Sequence, residues 1–466
     1  MMKKNSKNNV FILALMTLLS VSAIAQDKKW SLKEAVDYAL ENNLQVQQTK
    51  LDFETAEQDV VTARGNFLPN LNGSASHAYN FGSFIGQDGN RISRDSRGNA
   101  FGLNTAVNLF NGFRNTATYN QAKLGLEASQ LQLEILSNDI ALNVANSYLT
   151  VLLNKEALSL AQEQIGFSQK QYDQIKALVD AGTRPRVDLI DTESQLAADQ
   201  QRLVSAQNTL DLSLLTMSQL LQLPSQNFDV EVIKIDLTNA VFTYNDSGEI
   251  LSYALENRPE IKSAELNIDN ADLGIKIAKS AFYPSLRFGA GASTSYQHLQ
   301  GQKDVRTQII PDVNSLTGFS TITVPNRFSD QIEDNLGYNV GFNLSIPIFN
   351  GFQTKANVTR AEINKKKLEL ALEQQKQTLN TNVEQAFADA KASLKQYEAS
   401  EKSLKLQDEV FKNGQASYEL GASTSFELDQ LKNRLLNAQS SFLNAKYNFV
   451  FKTKVLDFYL GKSITE

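Results

Sequence analysis

The chain has 466 residues, no cysteine, one tryptophan, two histidines and a formal net charge of −6. Without cysteine there is no disulfide framework, thiolate zinc site or thiol nucleophile. Histidines as far apart as His77 and His298 give no His-rich metal centre or conventional catalytic triad, and the acidic balance argues against nucleic acid as a main partner.

Residues 1–25 read as a secretory signal. Lys3, Lys4 and Lys7 form the positive region, Val10 to Val21 the apolar stretch, and Ala23-Ile24-Ala25 the small-x-small cleavage site. The apolar run falls short of the roughly 20 residues that a helical span needs. Cleavage removes three lysines and no acid, so the mature chain is more acidic. No cysteine follows the cut, which excludes an N-terminal lipid on cysteine.

Next comes a duplication. Tyr38-Ala39-Leu40-Glu41-Asn42 recurs as Tyr253-Ala254-Leu255-Glu256-Asn257, and Phe67-Leu68-Pro69 as Phe282-Tyr283-Pro284, both at an offset of 215. Ser31 with Glu34 and Asp246 with Glu249 sit at the same offset and fit the capping-box pattern of a helix start. From Phe110-Asn111-Gly112-Phe113 and Phe349-Asn350-Gly351-Phe352 the offset becomes 239, so the second repeat holds 24 extra residues. The expected division is a first repeat over 26–224, a linker or equatorial segment over 225–247, a second repeat over 248–461 and a tail over 462–466.

Arg114–Arg184 and Gln353–Glu466 lack proline and are rich in Ala, Leu, Gln, Glu and Lys, which predicts very long helices. Gly182 and Gly421 are expected to stop them as C′ residues. A second helix follows each. Its seven-residue spacing runs through Leu189, Leu196, Leu203, Leu210 and Met217, then Leu428, Leu435, Phe442, Phe449 and Leu456, the spacing of a coiled-coil seam. In the linker, Val230, Val232, Ile233, Ile235 and Leu237 within Phe228–Thr243 read as short strands.

Four segments alternate with period two. Leu71 to Phe81, Phe101 to Leu109, Leu286 to Tyr296 and Leu336 to Ile346 each place apolar residues on one face and Asn, Ser and Gly on the other. At about 10 to 12 residues each, these strands suit tilted bilayer spans, with lipid on the apolar side and a wet lumen on the other. Phe67, Phe110, Phe113, Phe282, Tyr283, Phe349 and Phe352 gather near their ends, as interfacial girdles require. Gly82–Asn99 and His298–Asn335 then become external loops. Four strands cannot close, and open edges are not tolerated in lipid, so several chains must share a barrel.

The signal, the duplication, the helix–hairpin–long-helix order and the paired Phe-Asn-Gly-Phe exits together resemble the TolC-type outer-membrane efflux proteins. Further marks are Trp30-Ser31-Leu32-Lys33-Glu34-Ala35 with Ala39-Leu40, and Pro347-Ile348-Phe349-Asn350-Gly351. The fold class expected is mixed and mainly α: long coiled-coil helical hairpins forming an α-barrel, a four-strand contribution to a transmembrane β-barrel, and two internal repeats. The resemblance implies a homotrimer in the cell outer membrane with a periplasmic helical tunnel. It implies a passive exit duct, neither enzyme nor cofactor protein, joined by a periplasmic adaptor protein to an inner-membrane pump. Outer-membrane lipid is the remaining partner, and nucleic acid is not one.

In that family the helix-hairpin tips meet the adaptor and narrow the closed pore. The resemblance therefore assigns adaptor contact to Gly182, Thr183, Arg184, Gly421, Ala422 and Ser423. An acidic ring constricts the family's pore, and its two positions fall on Glu427 and Gln430, only one of them acidic. The first repeat offers Asp188 and Asp191 at the corresponding places. Asp188 and Glu427 equally suit helix starts, where carboxylates meet the helix dipole. Arg184 and Arg186 are read either as partners for acids across the tip or as solvated. Gly289-Ala290-Gly291 lies in a strand pattern, not a phosphate loop. Lys365-Lys366-Lys367 reads as a wet helix face. A second reading of the whole chain is a secreted coiled-coil scaffold or periplasmic adaptor with soluble sheets, although no biotinyl/lipoyl-like domain is seen.

Overall fold

The computed structural model describes residues 28–85, 89, 91–93, 95–233, 242, 244, 246–301 and 303–464. The signal segment and Ile235 and Leu237 lie outside them. In chain order the elements are β1 (Lys29–Trp30), α1 (Leu32–Asn42), α2 (Leu44–Gly65), β2 (Asn70–Asn80), β3 (Ser83–Ile85), β4 (Arg91–Ser93), β5 (Ser96–Asn111), α3 (Arg114–Asp180) and α4 (Arg186–Leu220). They continue as β6 (Asp229–Val230), α5 (Ser247–Asn257), α6 (Pro259–Ser280), β7 (Ser285–Leu299), β8 (Val305–Pro311), β9 (Phe319–Pro325), α7 (Phe328–Asp334), β10 (Gly337–Ser345), α8 (Gln353–Glu419) and α9 (Ser425–Tyr459).

The duplication is visible in helix lengths. α1 and α5 both have 11 residues, α2 and α6 both 22, α3 and α8 both 67, and α4 and α9 both 35. At 1.5 Å per residue, α3 and α8 each run about 100 Å. The extra residues of the second repeat lie between β7 and β10, where they build the β8–β9 ribbon and α7. One matched cap departs from expectation. Ser31 forms a full capping box with Glu34, whereas Asp246 at the same place makes no side-chain cap bond.

The chain divides into two compact units. One comprises the described residues of Met1–Phe53, Ser129–Glu265 and Leu370–Glu466, the other those of Glu54–Ala128 and Leu266–Glu369. The first is helical, with a core of Ala35, Val36, Val144, Tyr148, Leu152, Met217 and Val230. The heptad residues line its interior: Leu196, Leu210, Met217, Leu428, Leu435, Phe449 and Leu456 are buried, and Leu189, Leu203 and Phe442 are half-buried. β1 and β6 pair in parallel. The wholly buried Tyr148 hydroxyl fastens them, donating to the Glu231 carbonyl at 2.7 Å. Burial pushes that phenol up to about 12. Among the described residues of the linker, the expected short strands reduce to the two residues of β6, and Val232 and Ile233 follow as exposed, non-strand residues.

The second unit contains one four-stranded antiparallel sheet in the order β10-β7-β5-β2. Its register makes the alternation continuous across strands. Gly73, Leu103 and Ala292 stand in one row, and Phe101 faces Thr294 in the next. Val340 faces Ala290 and Phe342 faces Phe288. On the opposite face Asn72, Asn104, Gly291 and Asn339 share a row. At Gly291 a Cβ would come within 2.6 Å of Asn104 Oδ1 and 2.7 Å of Asn339 Oδ1, so a larger residue there would need both amide side chains to swing aside.

Several strand boundaries move: Phe81 falls just outside β2, and Leu336 and Ile346 just outside β10. Ser96–Asn99 and His298–Leu299, expected in loops, extend β5 and β7 to 16 and 15 residues. Leu109 also leaves the apolar row. The register shifts between Asn108 and Phe110, so Phe110 faces Leu286 instead, as expected when a bulge inserts one unpaired residue. β5 then passes into α3 through Gly112 and Phe113, both at φ 64°. A Cβ at Gly112 would lie 2.6 Å from the Ser280 carbonyl oxygen, so this left-handed turn also packs too closely for any other residue. Gly351 and Phe352 repeat the conformation before α8, at φ 61° and 64°.

Candidate functional site

The two tip turns lie within the helical unit. α3 and α8 end identically. Gly182 and Gly421 both have φ 75°, the left-handed region that glycine enters without a Cβ penalty. The Gly182 N–H donates to the Val179 carbonyl at 2.9 Å and Thr183 N–H to the Leu178 carbonyl at 2.9 Å. Gly421 N–H and Ala422 N–H repeat the pattern onto Tyr418 and Ser417 at 2.9 and 2.8 Å. These are Schellman closures, which satisfy carbonyls that the helix end leaves free.

The following helices begin differently. Pro185 is the N-cap of α4 and supplies no side-chain acceptor. Asp188 in its first turn takes the Arg184 guanidinium at 3.4 Å, and Thr183 donates its hydroxyl back to the Leu178 carbonyl at 2.8 Å. Thr424 caps α9 in a complete box: its Oγ1 accepts from Glu427 N–H at 3.3 Å, and Glu427 Oε2 accepts from Thr424 N–H at 2.9 Å. The Glu427 carboxylate is thus engaged by its own helix. Asp191 and Gln430 are exposed. Among the described residues, no hydrogen bond or ion pair links Asp188 or Asp191 to Glu427 or Gln430. At the tip Arg184 reaches towards the second hairpin, its guanidinium 5.8 Å from the Tyr418 ring centre. The Tyr418 hydroxyl and the Ser423 Oγ are buried there without a hydrogen-bond partner.

Deeper in the hairpins lies a cluster absent from the sequence reading. Lys432 of α9 is 2% exposed and Asp199 of α4 1% exposed. Lys432 Nζ sits 3.2 Å from Asp199 Oδ2 and 2.7 Å from Ser168 Oγ of α3. Ser168 and Gln164 also donate to Asp199, the latter at 3.1 Å, and Arg202 lies 2.8 Å from its other oxygen. Burial pushes the Asp199 carboxyl up, but the Ser168 and Gln164 hydrogen bonds and the Lys432 charge outweigh it and leave the group below its ordinary value. Burial depresses Lys432, with Asp199 opposing. Nearby, burial raises Asp429, whose Oδ1 has no partner. The available signal was a charge inside each apolar stripe: Thr192, Leu196 and Asp199, and Leu428, Lys432 and Leu435, follow i, i+4, i+7 spacing. Among the described residues, no group of His, Cys, Asp and Glu could hold a metal ion.

A two-faced antiparallel sheet combined with duplicated long helical hairpins and glycine-closed tips defines an outer-membrane channel of the TolC type. The chain belongs to the outer membrane efflux protein family, whose model matches residues 35–222 and 250–462. It is 26% identical to the cation efflux system protein CusC of Escherichia coli K12 over 428 residues, covering 89% of this chain and 83% of that protein. It is 23% identical to the outer membrane protein TolC of the same strain, covering 97% and 85%. A crystal structure of CusC superposes with a TM-score of 0.75 at 21% identity, covering 93% of this chain and 92% of the other. The Campylobacter jejuni CmeC outer membrane channel gives 0.74 at 18%, covering 92% and 85%. The protein is an outer-membrane efflux channel with a periplasmic helical tunnel. Its family consists of passive conduits working within tripartite systems.

Proposed function

We propose that three copies of this chain close one twelve-stranded barrel in lipid and conduct cargo passively from a periplasmic adaptor and inner-membrane pump to the exterior. One observation carries this reading. Register puts the large apolar strand residues on one face of the four-stranded sheet, save Leu299 at the loop end and the bulged Leu109, while the outer edges of β2 and β10 have no partner strand among the described residues and both strands are exposed along their full length. An open edge in hydrocarbon leaves backbone groups unsatisfied at several kcal/mol each, and closed barrels start at about eight strands. No helix among the described residues is long and apolar enough to cross a membrane.

At the helix-hairpin tips, Gly182, Thr183, Arg184, Gly421, Ala422 and Ser423 form the adaptor contact, and Asp188, Asp191, Glu427 and Gln430 line the constriction. The exposed Leu420 and Phe426 beside Gly421 support this assignment, because apolar side chains at a helix tip gain by being covered.

Hydrogen exchange on detergent-purified protein, paired with native mass spectrometry, tests the closure. The expected result is a trimer whose β2 and β10 amides are protected as strongly as those of β5 and β7. A monomer, or edge strands that exchange freely, overturns it.

A further inference from the structure

The polar face of the sheet is almost free of charge. Along β2, β5, β7 and β10 it presents Asn, Ser, Gly, Ala and Gln, with Leu299 at the loop end, and its single ionisable residue is Arg287. Arg287 stands opposite Asn108 on one side and Asn343 on the other. It is exposed, and no carboxylate on that face offers it a partner. Its neighbour two residues on is Gly289, and Gly341 lies diagonally across, so the guanidinium is flanked by positions with no side chain. Arg287 is the third residue of β7, which places it at the end of the sheet joined to the helices.

A lone charge on each face has a different meaning. Arg97 is the only Lys, Arg, Asp or Glu on the apolar face, and it lies opposite Tyr79 and His298 at the loop end. There a cationic side chain on the lipid side costs only about 0–1 kcal/mol. Arg287 faces water, where solvation imposes no such constraint on position. Its effect falls instead on whatever moves through that water.

We infer that Arg287 forms a cationic ring at the periplasmic mouth of the barrel and biases the duct toward anionic cargo: small organic carboxylates, phosphates and sulfonates, or the anion of a salt. This rests on the trimeric-barrel reading, which turns one arginine per chain into three around a common axis. The rest of the sheet's polar face, Leu299 aside, offers neutral amides, hydroxyls and small residues, which do not prefer a sign. In a twelve-stranded wall an inward-reaching guanidinium holds its charge on the order of 10 Å from the axis. That distance lies within the Debye length of about 30 Å at 0.01 M salt and is comparable to the roughly 10 Å at 0.1 M. Rings of Arg or Lys select anions in narrower pores by the same physics.

Planar bilayers of zwitterionic lipid test the ring through reversal potentials in a potassium chloride gradient. The comparison is between variants, so acidic groups elsewhere on the path cancel. Arg287→Gln is expected to lower the chloride-to-potassium permeability ratio about fourfold at 0.01 M salt and about twofold at 0.1 M. Arg287→Glu lowers it further, Arg287→Lys retains the wild-type ratio, and at 1 M salt all variants converge. Should Arg287→Glu fail to insert, the Gln and Lys variants decide the matter alone. Channels of normal conductance with the wild-type ratio in Arg287→Gln overturn the inference and leave the channel reading standing. A wild-type protein that inserts yet never conducts overturns both.

Discussion

The two tip turns share their first half and differ in their second. Both long helices stop at a left-handed glycine with the same pair of closing hydrogen bonds. After that, the first turn starts α4 with Pro185 and an Arg184–Asp188 pair, whereas the second starts α9 with the Thr424–Glu427 box. Stopping a helix is a backbone problem with one economical solution, so duplication preserves it. Starting one admits several side-chain solutions, and here the repeats diverge. The divergence decides which acids are free: Glu427 is held by its own helix and Asp188 by Arg184, which leaves Asp191 as the uncommitted carboxylate.

The strongest way to break the comparison is to cut the tie between the two hairpins below their tips. Lys432→Ala takes the buried counter-charge from Asp199 and leaves it only the half-exposed Arg202, so the loss should lie at or below the lower end of the range of about 3–5 kcal/mol that breaking a buried pair costs. The melting temperature of the detergent-purified protein should fall by several degrees. Replacing both groups by leucine should recover most of the loss, since a buried pair exchanged for packed apolar groups is often neutral. A single variant that melts with the wild type would refute this weight for the pair. Acid adds a second arm. The folded Asp199 carboxyl titrates below its unfolded value, so its contribution is present above about pH 3.9 and disappears as pH falls through the lower folded value. The stability gap between the wild type and Asp199→Asn should therefore close in strong acid.

That cluster also marks where the sequence ceased to be legible. The long helices, their glycine ends and the heptad seams follow from proline spacing, helix propensity and periodicity, and the offsets of 215 and 239 reappear as equal helix lengths. The strands were legible because their alternation is uninterrupted. The bulge that displaces Leu109 was not, because an inserted residue shows only once the partner strand is known. Lys432 and Asp199 escaped for a related reason. A charge in an apolar stripe looks like a surface interruption until a complementary charge arrives from 233 residues away. Asp246 shows the converse: its Asp-x-x-Glu spacing suggests a cap, yet the side chain makes no cap bond. Of the tip residues, position was readable but engagement was not, since Glu427 as cap and Glu427 as free acid have the same sequence.

A smaller effect separates the two helix starts. Thr424→Ala removes the acceptor for Glu427 N–H and should cost about 1 kcal/mol. Pro185→Ala removes no side-chain bond and should cost less. Hydrogen exchange read separately over Ser425–Leu428 and Arg186–Leu189 is the appropriate measurement, because global melting would average the two tips. Faster exchange confined to the start of α9 in Thr424→Ala supports the asymmetry. Equal responses at both tips would mean that neighbouring contacts, not the box, hold α9.

The smallest expected effect discriminates between the acids proposed to line a constriction. Glu427→Gln preserves the capping box, because glutamine at that position can accept the same bonds, so it removes charge while leaving the helix start intact. Asp191→Asn removes a charge that no neighbour neutralises. If the constriction attracts cations, Asp191→Asn should weaken block by divalent ions about twofold, with a smaller change for Asp188→Asn, whose charge Arg184 already offsets in part. Single-channel recordings with added magnesium provide the comparison. A larger effect from Glu427→Gln than from Asp191→Asn would show that a capping carboxylate still presents its charge to the pore, and the division between committed and free acids would fall.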